Sequence, residues 1–477
     1  MKKTHLLFIL LLSLIFNTSI FAEDGYELWL RYAPIETSHA EIYKSSVKGL
    51  IVEGNSATIS AAKDELLYGI QSLLSSSVPE VNSVNSEGII IAANYKNSQL
   101  LSELKLDDKL NNAGTEGYII FSSKINDKDV IVITANEDIG LLYGVFHFLR
   151  LIQTNQDITN LNISSAPKTT LRLLNHWDNL DRTVERGYAG FSIWDWHRLP
   201  GYIDPRYRDY ARANASIGIN GTVITNVNAN ALILTPHYLE KVAALANVFR
   251  PYGIRVYLTA RFSAPIEIGG LKTADPLDKD VQQWWNKKAD EIYSLIPDFG
   301  GFLVKANSEG QPGPQNYGRN HAEGANMLAD AVKSHGGSVM WRAFVYDNEV
   351  PVDRAKQAYN EFKPLDGKFR DNVLIQVKNG PIDFQPREPF HPLFGAMPLT
   401  PLMMEFQITQ EYLGQGTSLA YLATMYKECL DSDTYAKGEG STVAKVIDGS
   451  LDNHTLSGMA GVSNIGNDSR PRSRRTG

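Results

Sequence analysis

The sequence predicts a small N-terminal α/β domain followed by a (β/α)₈ TIM barrel that lacks its final helix. Three observations predict this fold. The 477 residues exceed one ordinary domain. One compositional unit ends near residue 165, and from Thr169 strands alternate with helices. An open doubly wound sheet, which is the alternative, would carry a glycine-rich phosphate loop, and Gly414-Gln415-Gly416 does not have that spacing.

The first domain is predicted over residues 23–165. Gly88–Tyr95, Gly117–Lys124 and Asp129–Ala135 are rich in Ile and Val and bounded by polar turns, which is typical of strands. A helix with an apolar face follows, around Leu141–Leu149. The serines and proline of Asn162–Lys168 favour a domain boundary there.

The barrel is predicted over residues 166–469, with active-site residues at the C-terminal ends of its strands. The predicted strands are Thr170–Trp177, Thr222–Val227, Ile254–Arg261, Gly301–Glu309, Ser338–Tyr346, Asn372–Gly380, Leu402–Glu411 and Ser457–Asn464. The predicted helices between them include Pro236–Phe249, Val281–Leu295, Ala322–Ser334 and Asp353–Phe362. After Asn464 we expect no closing helix.

Both ends of the chain differ in composition from the domains. Lys2 and Lys3 precede the apolar run Leu6–Phe16, which is too short to span a bilayer, and Ala22 offers a cleavage site. Residues 1–22 are therefore predicted to be a signal peptide, and the protein to be secreted or periplasmic. We interpret the basic tail 470–477 as a truncated or frame-shifted end.

Composition excludes several classes of function. A net charge of −7 and a pI near 5.9 argue against nucleic-acid binding. Cys429 is the lone cysteine, which excludes an intramolecular disulfide, and we expect it to be buried. Neither His-Glu-x-x-His nor Gly-x-Ser-x-Gly occurs, so metal hydrolysis and serine esterase chemistry are unsupported, and no cofactor is predicted.

Charged residues gather at the predicted strand ends. Because side chains alternate along a strand, Lys305, Asn307 and Glu309 are expected on one face. Burying such charges without partners is costly, which favours a functional role. The neighbouring strands add further residues of this kind: Arg342, Lys378, Asp383, Glu405, Gln407, Thr409 and Glu411. Trp177 ends the first strand and could stack on a sugar, whereas Trp194 and Trp196 are expected to serve packing.

This set of residues fits glycoside hydrolysis of an acidic sugar. One carboxylic acid must protonate the departing oxygen, while a second carboxylate activates water or attacks the anomeric carbon. Glu309, with Asp383 and Glu411 opposite, could supply both roles. Lys305, Arg342 and Lys378 suit a substrate that itself carries a carboxylate, because charge-assisted hydrogen bonds would orient it.

The strand ends also resemble glycoside hydrolase family 67, the α-glucuronidases of xylan breakdown. The matching segments are NHWDNLDRTVERGYAGFSIW (Asn175–Trp194), LVKANSEGQPGP (Leu303–Pro314), MWRAF (Met340–Phe344), VKNGPIDFQPREPFHPLFG (Val377–Gly395), MEFQITQEYLGQG (Met404–Gly416) and TYAKGEGSTVAKVIDGSL (Thr434–Leu451). The resemblance covers most of the chain and does not include the basic tail.

The resemblance implies an inverting hydrolase that removes α-1,2-linked glucuronic or 4-O-methylglucuronic acid from xylooligosaccharides. It implies that Glu309 is the general acid and that Asp383 and Glu411 are the two candidates for the base. It also implies that Lys305, Arg342 and Lys378 surround the uronic carboxylate and that Trp177 forms a pocket wall.

Family members carry a further helical domain that contributes to dimerisation and to the active-site wall. Since this chain ends before that domain, we expect weak or no activity from the chain as written. Two other functions remain alternatives: a non-catalytic carbohydrate-binding protein, and a retaining hexosaminidase-like glycosidase.

Overall fold

A five-stranded mixed sheet forms the first unit of the computed structural model, which describes residues 25–186, 190–346, 353–384, 388–409 and 420–467. Its strands are β1 (Gly49–Glu53), β2 (Ile89–Asn94), β3 (Tyr118–Ile125), β4 (Lys128–Ala135) and β5 (Asn162–Ser165), in the order β1-β2-β4-β3-β5. The first four helices are α1 (Thr37–Ser46), α2 (Ala57–Leu74), α3 (Asp107–Ala113) and α4 (Asp138–Gln153). Strands β1, β2 and β4 are parallel, whereas β3 is antiparallel to both β4 and β5.

Helices α2 and α4 pack against each other and bury apolar faces in the core of this unit. Their close approach depends on Gly69, where a Cβ atom would lie 2.6 Å from Leu149 Cδ1. A larger side chain at position 69 would therefore require the Leu149 side chain to move.

Eight parallel strands form a closed barrel after the first unit. They are β6 (Leu171–His176), β7 (Gly221–Val223), β8 (Arg255–Thr259), β9 (Gly301–Val304), β10 (Ser338–Arg342), β11 (Val373–Lys378), β12 (Leu402–Gln407) and β13 (Gly458–Ser463). The accompanying helices are α5 (Pro205–Ser216), α6 (Pro236–Phe249), α7 (Ala264–Glu267), α8 (Lys279–Leu295), α9 (His321–Lys333), α10 (Arg354–Phe362), α11 (Ala423–Asp431) and α12 (Val443–Ile447). Pairing of β13 with β6 and of β9 with β10 closes the ring.

The barrel interior changes from apolar to polar along the strands. Leu173, Val223, Leu303 and Met340 belong to one buried apolar cluster with the Tyr257 ring. Further along the same strands the buried residues are polar: Thr259, Lys305, Arg342, Gln376, Lys378 and Glu405. Polar groups therefore collect at the C-terminal mouth, where barrels of this type carry their active sites.

All eight predicted barrel strands are confirmed, although several end earlier than predicted. Strand β9 ends at Val304 instead of Glu309, and β10 ends at Arg342 instead of Tyr346. The chain leaves the barrel wall there and forms the loops of the mouth. The four predicted barrel helices are also confirmed, each to within two residues at either end.

The first unit holds strands that the sequence did not predict. Strand β1 was missed, and the predicted linker Asn162–Lys168 begins with β5, which pairs with β3. Cys429 is buried as predicted, and so are Trp194 and Trp196. Within the described part of the chain, no helix is both long enough and apolar enough to cross a membrane. The predicted signal peptide 1–22 and the tail 470–477 lie outside the described residues.

A buried ion pair joins the first unit to the barrel. Arg212 on α5 donates to both carboxylate oxygens of Glu65 on α2, at 2.6 and 2.8 Å, and Tyr32 Oη donates to the same carboxylate at 2.6 Å. Since Glu65 is buried, loss of its cation would leave a desolvated charge without its main partner.

We predict that Arg212→Met lowers the free energy of unfolding by about 2 to 3 kcal/mol, because the Glu65 charge stays buried. Arg250→Met is the matched control: Arg250 binds Asp298 through two nitrogens, but both side chains are more exposed. Loss of the Arg250–Asp298 pair should lower the free energy of unfolding by less than about 1 kcal/mol. Urea unfolding measures the stability of both variants. Equal losses of stability in the two would contradict the assigned role of the Arg212–Glu65 pair.

Candidate active site

The segment after β9 brings Lys305 and Glu309 together by a route other than the predicted alternation. Asn307 and Glu309 have φ values of 52° and 50°, so this segment is not a strand, and the prediction that residues 305, 307 and 309 share a strand face is wrong. The turn nevertheless directs the Glu309 carboxylate onto Lys305 Nζ, which donates to it. Glu309 Oε2 thus has a cation partner, while the Glu309 side chain remains 46% exposed.

Buried Lys305 is also held by residues from other strand ends. Its Nζ donates to Asn228 Oδ1 at 2.8 Å, and Asn228 Nδ2 in turn donates to Glu185 Oε2 at 2.9 Å. Burial and the Arg342 charge lower the pKa of Lys305, whereas Glu309 and Glu185 oppose that shift. Glu185 and Asn228 therefore fix the position of the ammonium and offset part of its charge.

Arg342 forms the deepest ion pair of the site. Its Nε and Nη2 atoms donate to Glu405 at 2.8 and 2.5 Å, and both side chains are almost fully buried. Gln376 Nε2 also donates to Glu405. Burial alone would raise the pKa of Glu405, but the Arg342 cation lowers it, so this carboxylate is ionised. Two of the three guanidinium nitrogens are thus bound to protein.

Lys378 lies between a carboxylate and two aromatic rings. Its Nζ donates to Asp383, whose side chain is 24% exposed, and lies 3.1 Å from the Phe344 ring centroid and 4.3 Å from that of Phe384. Burial, followed by the Arg342 charge, lowers the pKa of Lys378 to about 8. This lysine therefore loses its charge just above neutral pH.

Tyr346 joins the loop after β10 to the segment that carries Glu309. Burial raises the pKa of the Tyr346 phenol, and the charge of Asp383 raises it further, whereas that of Arg354 opposes the shift. Glu309 N–H donates to Tyr346 O at 3.3 Å, and Tyr346 N–H donates to Ser308 Oγ at 3.2 Å. The loops after β9 and β10 are thereby tied together.

The remaining predicted site residues have different outcomes. Trp177 is buried in the interior cluster, with its ring 6.2 Å from that of Phe384. Gln407 and Thr409 are buried near the end of β12. Glu411 lies outside the described residues, and its predicted role stays a prediction.

Sequence reasoning missed several residues that the structure brings to this site: Glu185, Asn228, Phe344, Tyr346, Gln376 and Phe384. Glu185 and Phe344 stood inside segments that carry the family resemblance, but no strand pattern assigned them a contact. Asn228 follows a strand predicted to end at Val227, and that proximity to a strand end was the available signal.

Comparison with protein families assigns most of the chain to one family. The model described as glycosyl hydrolase family 67 N-terminus matches residues 28–148, and the one described as glycosyl hydrolase family 67 middle domain matches residues 151–470. The chain belongs to glycoside hydrolase family 67. This confirms the resemblance found at the strand ends.

Curated relatives agree with the family 67 membership. Alpha-glucuronidase A of Emericella nidulans is 42% identical over 473 residues, covering 96% of this chain and 55% of the relative. Alpha-glucuronidase of Hypocrea jecorina is 42% identical over 481 residues, covering 96% of this chain and 56% of the relative. This family 67 chain therefore spans about half the length of the curated relatives that it matches.

Solved structures support the family 67 fold. The structure of CpGH84B has a TM-score of 0.53 at 13% identity, covering 90% of this chain and 66% of that chain. A GH138 enzyme targeting pectin rhamnogalacturonan II has a TM-score of 0.51 at 13% identity, covering 88% of this chain and 46% of that chain. At this identity the likeness concerns the fold alone.

We predict that Glu405→Leu lowers the free energy of unfolding by about 3 to 5 kcal/mol, because it leaves the Arg342 guanidinium buried without its partner. The double variant Glu405→Leu with Arg342→Met should regain most of that loss, since both charges are then gone. Denaturant unfolding of Glu405→Leu, Arg342→Met and the double variant measures this. A double variant as unstable as the sum of the two single variants would contradict the pairing.

Proposed function

We propose that this chain carries the catalytic site of an inverting α-glucuronidase. Its substrate would be a xylooligosaccharide that bears α-1,2-linked glucuronic or 4-O-methylglucuronic acid. The observation that carries the proposal is the mouth of the barrel, where Lys305, Arg342 and Lys378 are buried together beside the more exposed carboxylates of Glu309 and Asp383. The printed names of the curated relatives, which are α-glucuronidases, support the same proposal.

The cations are proposed to recognise the uronic carboxylate. Lys305 and Lys378 each already bind a protein carboxylate through Nζ, and an ammonium has three donors, so each is able to bind a second anion. Arg342 offers mainly its charge, because two of its nitrogens bind Glu405. Charge-assisted hydrogen bonds from the lysines would fix the sugar ring relative to the catalytic groups.

Glu309 is proposed to be the general acid, and Asp383 and Glu411 are the two candidates for the base. Each of these two described carboxylates contacts a lysine ammonium, Glu309 that of Lys305 and Asp383 that of Lys378, and each is more exposed than the lysine it contacts. In an inverting reaction the acid protonates the departing xylose oxygen while the base activates a water on the opposite face of the sugar. Trp177 is proposed to form part of the pocket wall.

Two further proposals concern the whole protein. We propose export from the cytoplasm, which the apolar run Leu6–Phe16 after Lys2 and Lys3 supports. Dimerisation is proposed only for the full-length family, where the additional helical domain contributes to it.

In a protein that also carries the helical domain of the family, we predict that Glu309→Gln reduces release of 4-O-methylglucuronic acid from an aldouronic oligosaccharide by about 100-fold or more, because the departing oxygen loses its proton donor. The exposed Glu428→Gln serves as the control and should leave the rate unchanged. Proton NMR follows the reaction and should detect the β-anomer first, since inversion of an α-linkage gives a β product. Undiminished release by Glu309→Gln would refute the role of the acid, and an α-anomer would indicate the retaining alternative.

We predict that Lys378→Met weakens binding of D-glucuronate about 10- to 100-fold, the amount expected for loss of one charge-assisted hydrogen bond in a buried site. Lys437→Met is the control, because Lys437 also pairs with an aspartate, Asp452, but its side chain is 51% exposed. Isothermal titration calorimetry at pH 6 measures binding of glucuronate and of uncharged glucose. An equal loss of affinity for both sugars would show that Lys378 does not bind the carboxylate. Binding without any release of sugar, also in a protein that carries the helical domain of the family, would favour the carbohydrate-binding alternative.

A further inference from the structure

Three cations of the mouth lie around one aromatic ring. Lys378 Nζ is 3.1 Å from the centroid of the Phe344 ring, Arg342 Cζ is 5.4 Å from it, and Lys305 Nζ is 6.0 Å from it. Phe344 itself is buried and follows β10, between the strands that carry the two lysines. Each cation is thus within the distance at which the negative face of a benzene ring attracts positive charge.

Lys378 needs such stabilisation more than most lysines do. It is buried, and the Arg342 cation repels it, while Asp383 and Glu405 attract it. His391 also faces it, but burial, followed by the Lys378 charge, lowers the pKa of His391 to about 3, so the imidazole is neutral. The rings of Phe344 and Phe384 also lie close to the Lys378 ammonium, and Phe344 is the nearer of the two.

We infer that Phe344 is a positioning residue whose ring face keeps Lys378 protonated and in place at the mouth of the barrel. It acts through Lys378 and not by proton transfer of its own. The stabilisation of the Lys378 ammonium follows from its position over the Phe344 ring. The consequence for binding an anionic sugar rests on the proposed function, because it requires Lys378 to bind the uronic carboxylate.

A shape-conserving test replaces Phe344 by mono-, di- and trifluorophenylalanine, which progressively withdraw charge from the ring face. The same series at Phe148, a buried residue of α4 in the first unit, is the matched control. Lysine labelled with ¹³C at Cε reports the titration of Lys378 by NMR, and Lys378→Met assigns its signal.

The wild-type midpoint is expected near pH 8, following the pKa of about 8 for Lys378. Fluorination at 344 destabilises the charged form, so the midpoint should move down with each added fluorine, by up to about one pH unit in the trifluoro protein. The Phe148 series should leave it unchanged. A midpoint that stays constant along the Phe344 series, or one that moves equally in both series, would overturn the inference.

Binding of D-glucuronate to the same full-chain proteins separates this inference from the proposed function. At pH 6 Lys378 is charged in every protein, so the affinities should agree. At pH 8 the trifluoro protein should bind about fivefold more weakly than wild type, because a one-unit shift leaves fewer lysines protonated. A shifted midpoint without glucuronate binding at either pH supports the role of Phe344 and contradicts the proposed carboxylate site. Glucuronate binding with an unmoved midpoint supports the carboxylate site and contradicts the role of Phe344.

Discussion

The mouth of the barrel is organised by the cost of burying Lys305, Arg342 and Lys378 close together. They stand at the ends of three adjacent strands, β9, β10 and β11, and each is almost removed from water. A buried cation is tolerated only with a partner. The chain provides one carboxylate for each: Glu309 for Lys305, Glu405 for Arg342 and Asp383 for Lys378. The alternation of charges in this part of the barrel follows from that requirement.

The three ion pairs differ in how deeply they are buried. The deep pair suits a structural role, and the two shallower pairs suit contact with a ligand. The Arg342–Glu405 pair is buried and bonded through two nitrogens, which suits a fixed part of the barrel wall. Glu309 and Asp383 are more exposed than the lysines that they contact, so a ligand reaches the carboxylates first. An anionic sugar would then compete for the two ammonium groups. The centroid of the Phe344 ring lies 3.1 Å from the charged group of Lys378, 5.4 Å from that of Arg342 and 6.0 Å from that of Lys305.

The strands of the barrel were predictable because buried parallel strands consist of near-continuous apolar runs. Their ends were not, since an extended pattern does not reveal where a backbone turns: positive φ at Asn307 and Glu309 ended the alternation assumed there. The pair Lys305–Glu309 was expected on a shared strand face and forms instead through that turn. Contacts such as Asn228 to Lys305 join distant loops and have no local pattern. Strand β5 was hidden by its polar sequence, Asn-Ile-Ser-Ser, at the edge of a sheet.

We propose that the buried cations at the barrel mouth recognise a sugar carboxylate. A crystal structure of the protein soaked with D-glucuronate at pH 6, where Lys378 is charged, tests this directly. We expect the uronic carboxylate within hydrogen-bond distance of the Nζ atoms of Lys305 and Lys378, about 2.7 to 2.9 Å for such charged pairs. A sugar bound with its carboxylate directed to solvent, away from both lysines, would contradict it.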